Sequence, residues 1–187
     1  MGAALETALF DAAFADPANG AVLERLRALA LPQGFLTAGC LFQAVWNQVA
    51  RHPPGWGVKD YDVFYYDAAD LSFEAEDAVI RRCAEAFAGL GVTVEVKNQA
   101  RVHLWYRARF GEDYPALVSA RDGIDRYLID CTCIGIEAAS GALYAPSGLD
   151  DVFAGVLRIN ARHPQPAQFF RKAEDYRRRW PHLRIEA

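Results

Sequence analysis

No apolar run in the 187 residues is long enough to span a bilayer, and there is no basic excess of the kind that coats nucleic acid, since the net charge is −4. The N-terminus has neither the basic start nor the apolar core of a signal peptide, so a cytoplasmic location with no membrane partner is expected. Cysteine is sparse. Cys40, Cys83, Cys131 and Cys133 lie in apolar segments, with one C-x-C pair and four scattered histidines, a spacing that fits no zinc pattern and predicts free, buried thiols. No repeat or low-complexity tract is present. What remains is a chain with 52% hydrophobic residues, enough for one core and too short for two full domains. A single unit over residues 1–187 is expected, with N-terminal helices in 1–33, a core in 34–110, and strands with a basic helix in 111–187.

Charge is unevenly placed. Residues 158–187 hold eight basic against three acidic side chains, a net +5 that leaves −9 on the rest. A solvated basic helix is the ordinary reading, and one attractive wall for an anionic ligand is the functional one.

Hydrophobic periodicity sets the elements. The first thirty residues read as two short helices, the second carrying Val22, Leu23, Leu26 and Leu29 on one face until Pro32 and Gly34 stop it. "FLTAG" is strand-like, and Leu41, Phe42, Val45, Trp46 and Val49 then repeat at helical spacing up to "HPPGWG". "DYDVFYYD" reads as a strand. Ser72 is a predicted N-cap for a long helix striped by Val79, Ile80, Cys83, Phe87 and Leu90. "VTVEVKN" and "ARVHLWYRARF" read as strands, the second alternating Val102, Leu104 and Tyr106 with His103, Trp105 and Arg107. "SARDGIDRYLI" reads as a short helix and "CTCIGIEAASGALYAPSG" as a hairpin turning at Ser140-Gly141. "PAQFFRKAEDYRRRW" is an amphipathic helix through Phe169, Ala173, Tyr176 and Trp180. Helices and strands mix without regular alternation, which predicts α+β, a mixed β-sheet flanked by helices.

Within "VKDYDVFYYD", Asp60 and Asp62 stand two apart on a strand, so both side chains point to one face about 7 Å apart. Their repulsion calls for a positive charge, and a divalent ion on hard oxygen ligands supplies it. A third acid is sought for two-metal phosphoryl chemistry, and Glu95 between valines is the candidate. Upstream, Gly39 stands between a strand-like run and a helix, where free N–H groups attract an anion.

These residues resemble the polymerase-beta-type nucleotidyltransferase superfamily: "AGC" (Ala38, Gly39, Cys40), "DYD" (Asp60, Asp62) and "VEV" (Val94, Glu95, Val96). More closely, "AGCLFQAVWN", "KDYDVFYYD", "VEVKNQARVHLWY", "CTCIGI", "APSGLDDVF" and "YRRRWPHL" are similar to a bacterial nucleotidyltransferase-like family over residues 34–184. The resemblance implies a polymerase-beta-like fold, Mg²⁺ (or Mn²⁺) on Asp60, Asp62 and Glu95, and a phosphate loop at Gly39 and Cys40. Cys40 replaces the superfamily's Ser, and Phe42 and Gln43 stand where relatives carry a basic residue and an amide.

Lys59, Asn98 and Arg101 are further candidates for nucleotide contact, each with a plain alternative in ion pairing or turn capping. His103 and Trp105 are read as sharing a strand face that stacks on a base or belongs to the core. Asp150 and Asp151 are read as a cap. The expected activity is metal-dependent transfer of a nucleotidyl group from an NTP to an acceptor that is a small molecule, an RNA or a protein. The alternative is a degenerate nucleotide- or RNA-binding protein without turnover. A sugar transferase holding a nucleotide-sugar through manganese ranks last, because the chain leaves little room for an acceptor domain.

Overall fold

A computed structural model describes residues 2–186. Helices α1 (Gly2–Phe14) and α2 (Pro17–Leu29) come first, and the Asp16 carboxylate caps α2 by accepting from the Ala18 N–H at 3.0 Å. Strand β1 (Phe35–Thr37) leads into α3 (Gly39–Ala50), then β2 (Tyr61–Tyr65), α4 (Phe73–Phe87) and β3 (Val94–Asn98). The Ser72 hydroxyl accepts from the Ala75 N–H, the cap expected for α4. Of the expected α4 stripe, Cys83 and Phe87 are buried and Ile80 is exposed.

The sheet runs β3-β2-β1-β4-β5, with β4 at Gly135–Glu137 and β5 at Leu143–Tyr144. Only β2 and β3 are parallel; α4 supplies the crossover that this direction requires. β4 and β5 form the hairpin, and Gly141 takes the turn at φ +73. Alternation divides the sheet into two faces. Leu36, Tyr61, Val63, Tyr65 and Ile136 look into the main core. Phe35, Phe64 and Cys133 look the other way, onto α6 (Ala120–Ile124). Asp62 belongs to that second face, just beyond the point where α6 stops covering it.

Behind the sheet, α3 is nearly all buried over its first eight residues and serves as the hub. Helix α8 (Pro166–Arg179) docks on it through Tyr176 and, just past the helix end, Trp180; their rings lie 5.2 Å and 5.4 Å from Trp46. The basic C-terminal helix is therefore one face core and one face charge.

Three expectations change. "ARVHLWYRARF" is not a strand: a 3₁₀ turn (Gln99–Arg101) runs into α5 (Val102–Phe110). The Asn98 carboxamide ends β3 by accepting from the Ala100 N–H at 3.1 Å, and an alternation of six residues does not outweigh the helix formers Leu104, Arg107, Ala108 and Arg109. His103 and Trp105, two apart on a helix, then point to different sides. Asp150 and Asp151 make no side-chain cap; they sit in the first turn of α7 (Asp150–Ala154), and Asp151 meets Arg158 at 3.5 Å. A two-stranded parallel sheet, β6 (Val156–Arg158) with β7 (Arg184–Glu186), had no signal in the pattern. All four cysteines are free and buried, and no helix among the described residues is long and apolar enough to cross a membrane.

Candidate active site

The pairing register gathers the acids. β1 and β2 place Thr37 opposite Asp62, which brings the carboxylate to the turn that starts α3. β2 and β3 place Glu95 opposite Asp62, so Asp60, Asp62 and Glu95 all project from one face of the sheet. They do not converge. Lys97, two residues beyond Glu95 and so on the same face, reaches between them: its Nζ lies 2.7 Å from Glu95 Oε2 and 3.4 Å from Asp62 Oδ1. Among the described residues no cluster of three or more His, Cys, Asp or Glu is placed to hold a metal. Beside the third acid of the expected site, Glu95, stands a protein cation, Lys97.

The electrostatics separate the acids further. Burial pushes the Asp62 carboxyl up to about 6, with Lys97 pulling against it and Asp60 and Glu95 adding repulsion. Glu95 goes the other way: the hydrogen bond and charge of Lys97 hold it below the usual carboxylate range, and its side chain is 46% exposed. Burial works to lower the Lys97 ammonium, but Asp62 and Glu95 outweigh it and hold it up.

Beside Asp62 lies the start of α3. Ala38 adopts φ 68, ψ −141, a backbone region costly for a residue with a Cβ, and so turns the chain to present the first N–H groups of the helix. A Cβ at Gly39 would lie 2.5 Å from Gln43 Nε2, the far end of a side chain that folds back over the turn and would have to shift. Gln43 Oε1 is buried with no partner. Cys40 turns its thiol into the core, donating to the Thr37 carbonyl at 3.3 Å, and burial raises that thiol well above its ordinary value. Its contribution to a phosphate loop reduces to its backbone.

These groups open onto a cleft of about 590 Å³ bounded by β2, α3, α5 and α8. Seven cationic side chains line it, Lys59, Lys97, Arg109, Arg126, Arg171, Lys172 and Arg179, against three carboxylates, Asp60, Asp62 and Asp175. In a chain of net charge −4 this is a strong local reversal, and low-dielectric walls focus it on an entering anion. Lys172 lies within electrostatic reach of both Asp60 and Asp62. Trp105, Tyr106 and Phe110 of α5 form an aromatic end of the same cleft. The signal for Lys97 was the strand parity that singled out Glu95; the signal for Lys172 and Arg179 was helical spacing with the buried Ala173 and Tyr176.

Asn98 and Arg101 stand outside the cleft. Asn98 is 2% exposed and its carboxamide is spent on the Ala100 and Asp67 N–H groups and the Asp67 carbonyl. Arg101 pairs with Glu76 of α4 and donates to the Leu71 carbonyl at 2.9 Å. Together they tie the end of β3 and the turn after it to the segment following β2 and to α4. Arg101→Met leaves Glu76, whose side chain is 12% exposed, without its counter-charge, and is expected to destabilise the fold by about 3 kcal/mol in denaturant titration. Nucleotide affinity of the folded fraction should be unchanged, whereas a direct role for Arg101 in the ligand site would weaken it.

Asp60 and Asp62 fit a magnesium-type ion that arrives with a polyphosphate, since such an ion commonly takes one or two protein carboxylates and completes its shell with water and phosphate oxygens. The desolvated Asp62 beside Asp60 is the observation that favours it, because a cation there relieves both burial and repulsion.

Comparison with known proteins adds the following. A family model described as nucleotidyltransferase matches residues 24–185. Among solved structures, an NMR structure of a protein that reveals a CCA-adding enzyme head domain is similar to this chain, with a TM-score of 0.72 at 23% identity over 95% of this chain and 94% of that one. At that identity the likeness is one of fold. No curated protein matches the chain.

Proposed function

This chain belongs to the nucleotidyltransferase family, and on that premise we propose that it transfers a nucleotidyl group from a nucleoside triphosphate, bound with Mg²⁺ or Mn²⁺, to an acceptor hydroxyl. The observation that carries this reading is the juxtaposition of Asp60 and Asp62 with the start of α3 inside a cationic cleft.

Each part of the chain has a task. Asp60 and Asp62 hold the ion, which when bound screens the triphosphate and polarises the phosphorus under attack. The first N–H groups of α3, at Gly39 and Cys40, with the Gln43 carboxamide above them, receive phosphate oxygens. Lys59, Lys172 and Arg179 neutralise the tail and steady the departing pyrophosphate. Lys97, fixed by Glu95, sets the charge of Asp62, and Glu95 acts through Lys97 rather than on the substrate. Trp105 and Tyr106 offer the base an aromatic surface.

Lys97→Met tests the fourth of these links. Lys97 lowers the Asp62 pKa, so its removal raises that pKa above about 6, and the carboxylate form needed for the ion is reached later. The acidic limb of metal-dependent nucleotide binding is expected to move up by about one pH unit, with variant and wild type converging near pH 9. A limb that stays in place removes Lys97 from the site.

The position of Lys97 between Asp62 and Glu95 also favours a second reading, a member that binds nucleotide without turnover. Pyrophosphate release over a panel of NTPs and acceptors separates the two. Metal-dependent release establishes transfer; nucleotide affinity with no release in any combination selects the binding protein.

A further inference from the structure

Beyond the cleft, a second recess of about 280 Å³ opens along α8, lined by Leu128, Gln168, Arg171, Lys172, Asp175 and Arg178. All but Arg178 also line the main cleft, so the two spaces share a wall. Gly39, Asp60 and Asp62 do not line the recess, so it lies past the place where the triphosphate and its ion are held. Three of its lining residues, Arg171, Lys172 and Arg178, are cationic donors, and the Gln168 amide already donates to Glu112 at 3.2 Å. The one carboxylate, Asp175, is already engaged by Arg179 at 2.9 Å and Arg178 at 3.5 Å, while Arg171 and Lys172 have no ion-pair partner among the described residues.

We propose that this recess holds a phosphate group of the acceptor, so that the acceptor substrate is a phosphate ester whose hydroxyl reaches the cleft across the Lys172 wall. The proposal rests on the nucleotidyl-transfer reading of the cleft. A cationic acceptor is repelled by this wall, and a neutral one leaves its donors unused. A phosphate supplies acceptor oxygens and negative charge together, the combination for which arginine forks are suited. Arg171 and Arg178 stand two helical turns apart, about 10 Å along the axis, and so bracket the recess.

Two-stage calorimetry on the full chain tests it. The first stage titrates a nonhydrolysable ATP analogue with Mg²⁺. The second adds ribose, ribose 5-phosphate or a short oligoribonucleotide to the saturated protein. A phosphate-bearing probe should bind the saturated protein while ribose does not, and its affinity should fall as salt rises. Arg178→Gln, at an exposed position that lines the recess and not the main cleft, should weaken that probe about tenfold and leave the analogue within about twofold of wild type. Binding of ribose 5-phosphate identifies a small phosphorylated acceptor; binding of the oligoribonucleotide alone identifies a strand end. Failure of both phosphate-bearing probes, equal binding of ribose, or full affinity in Arg178→Gln overturns the inference and leaves the transfer reading standing. Absence of analogue binding in the first stage sinks the transfer reading and the inference with it.

Discussion

Asp62→Asn is expected to reduce nucleotidyl transfer by at least about a thousandfold, the scale of losing a group that stabilises developing charge, while making the protein more stable at pH 7.5. The two effects share a cause. Asp62 is ionised at a half-buried position beside Asp60, and its carboxyl is raised from an ordinary 3.8 to about 6. For an acid with a raised folded pKa, ionisation is harder in the native than in the unfolded state. Below pH 3.8 both states are protonated and nothing is lost; between 3.8 and 6 the penalty accumulates; above 6 it is fully present. The asparagine avoids it, which is worth about 3 kcal/mol above pH 6, or a rise in melting temperature of roughly 8 °C. Lys97 keeps its 2.7 Å contact with Glu95, so no ammonium is stranded. Melting curves from pH 4 to 8 without metal or nucleotide check the prediction: the gain should be present at pH 7.5 and vanish near pH 4. A variant less stable than wild type at pH 7.5 would mean that Asp62 serves the fold rather than the ligand.

Trp180→Ala should be the most damaging core substitution for the cleft wall. Trp180 is fully buried, with rings of Trp46, Trp56 and Tyr176 at 5.4 Å, 5.5 Å and 6.0 Å, and its Nε1 donates to Asn47 Oδ1 at 2.8 Å. Truncation costs the packing and leaves a buried carboxamide oxygen unpaired, together about 4 to 5 kcal/mol, with a melting temperature lowered by roughly 10 °C or more. Because Trp180 pins the end of α8 to α3, nucleotide affinity should fall along with stability. Trp180→Phe, which keeps a ring but not the donor, should recover more than half of the loss. A decrease below about 1 kcal/mol for the alanine variant would show that α8 is held elsewhere.

The parts of the site legible in the sequence are those fixed by local period. Two-residue spacing put Asp60 and Asp62 on one face, and a Gly before a helical run marked the start of α3; the register of β1 and β2 brings the two together. The same parity places Lys97 on the face of Glu95, but a lone lysine two residues on in a strand carries no mark that it reaches back to an acid on the neighbouring strand. What could not be read was long-range. That Glu95 lies opposite Asp62 depends on a parallel pairing across α4, and that Lys172 and Arg179 face the acids depends on α8 docking through Tyr176 and Trp180. The misreading of α5 has a local origin: Asn98 terminates β3 with its own side chain, and a short alternating stretch has no way to declare that the strand has already ended. Asn98 and Arg101 show the converse, polar residues beside a site whose groups are consumed in holding the end of β3 and the turn after it to the segment following β2 and to α4.

The central claim is that Asp60 and Asp62 hold a divalent ion together with a nucleoside triphosphate. Calorimetric titration of a nonhydrolysable ATP analogue, with Mg²⁺ and with chelator, into wild type, Asp60→Asn and Asp62→Asn tests it most directly. Saturable binding that needs Mg²⁺ and is lost in both variants is the predicted result. Binding of equal strength with and without the metal, or undiminished in Asp62→Asn, would contradict it.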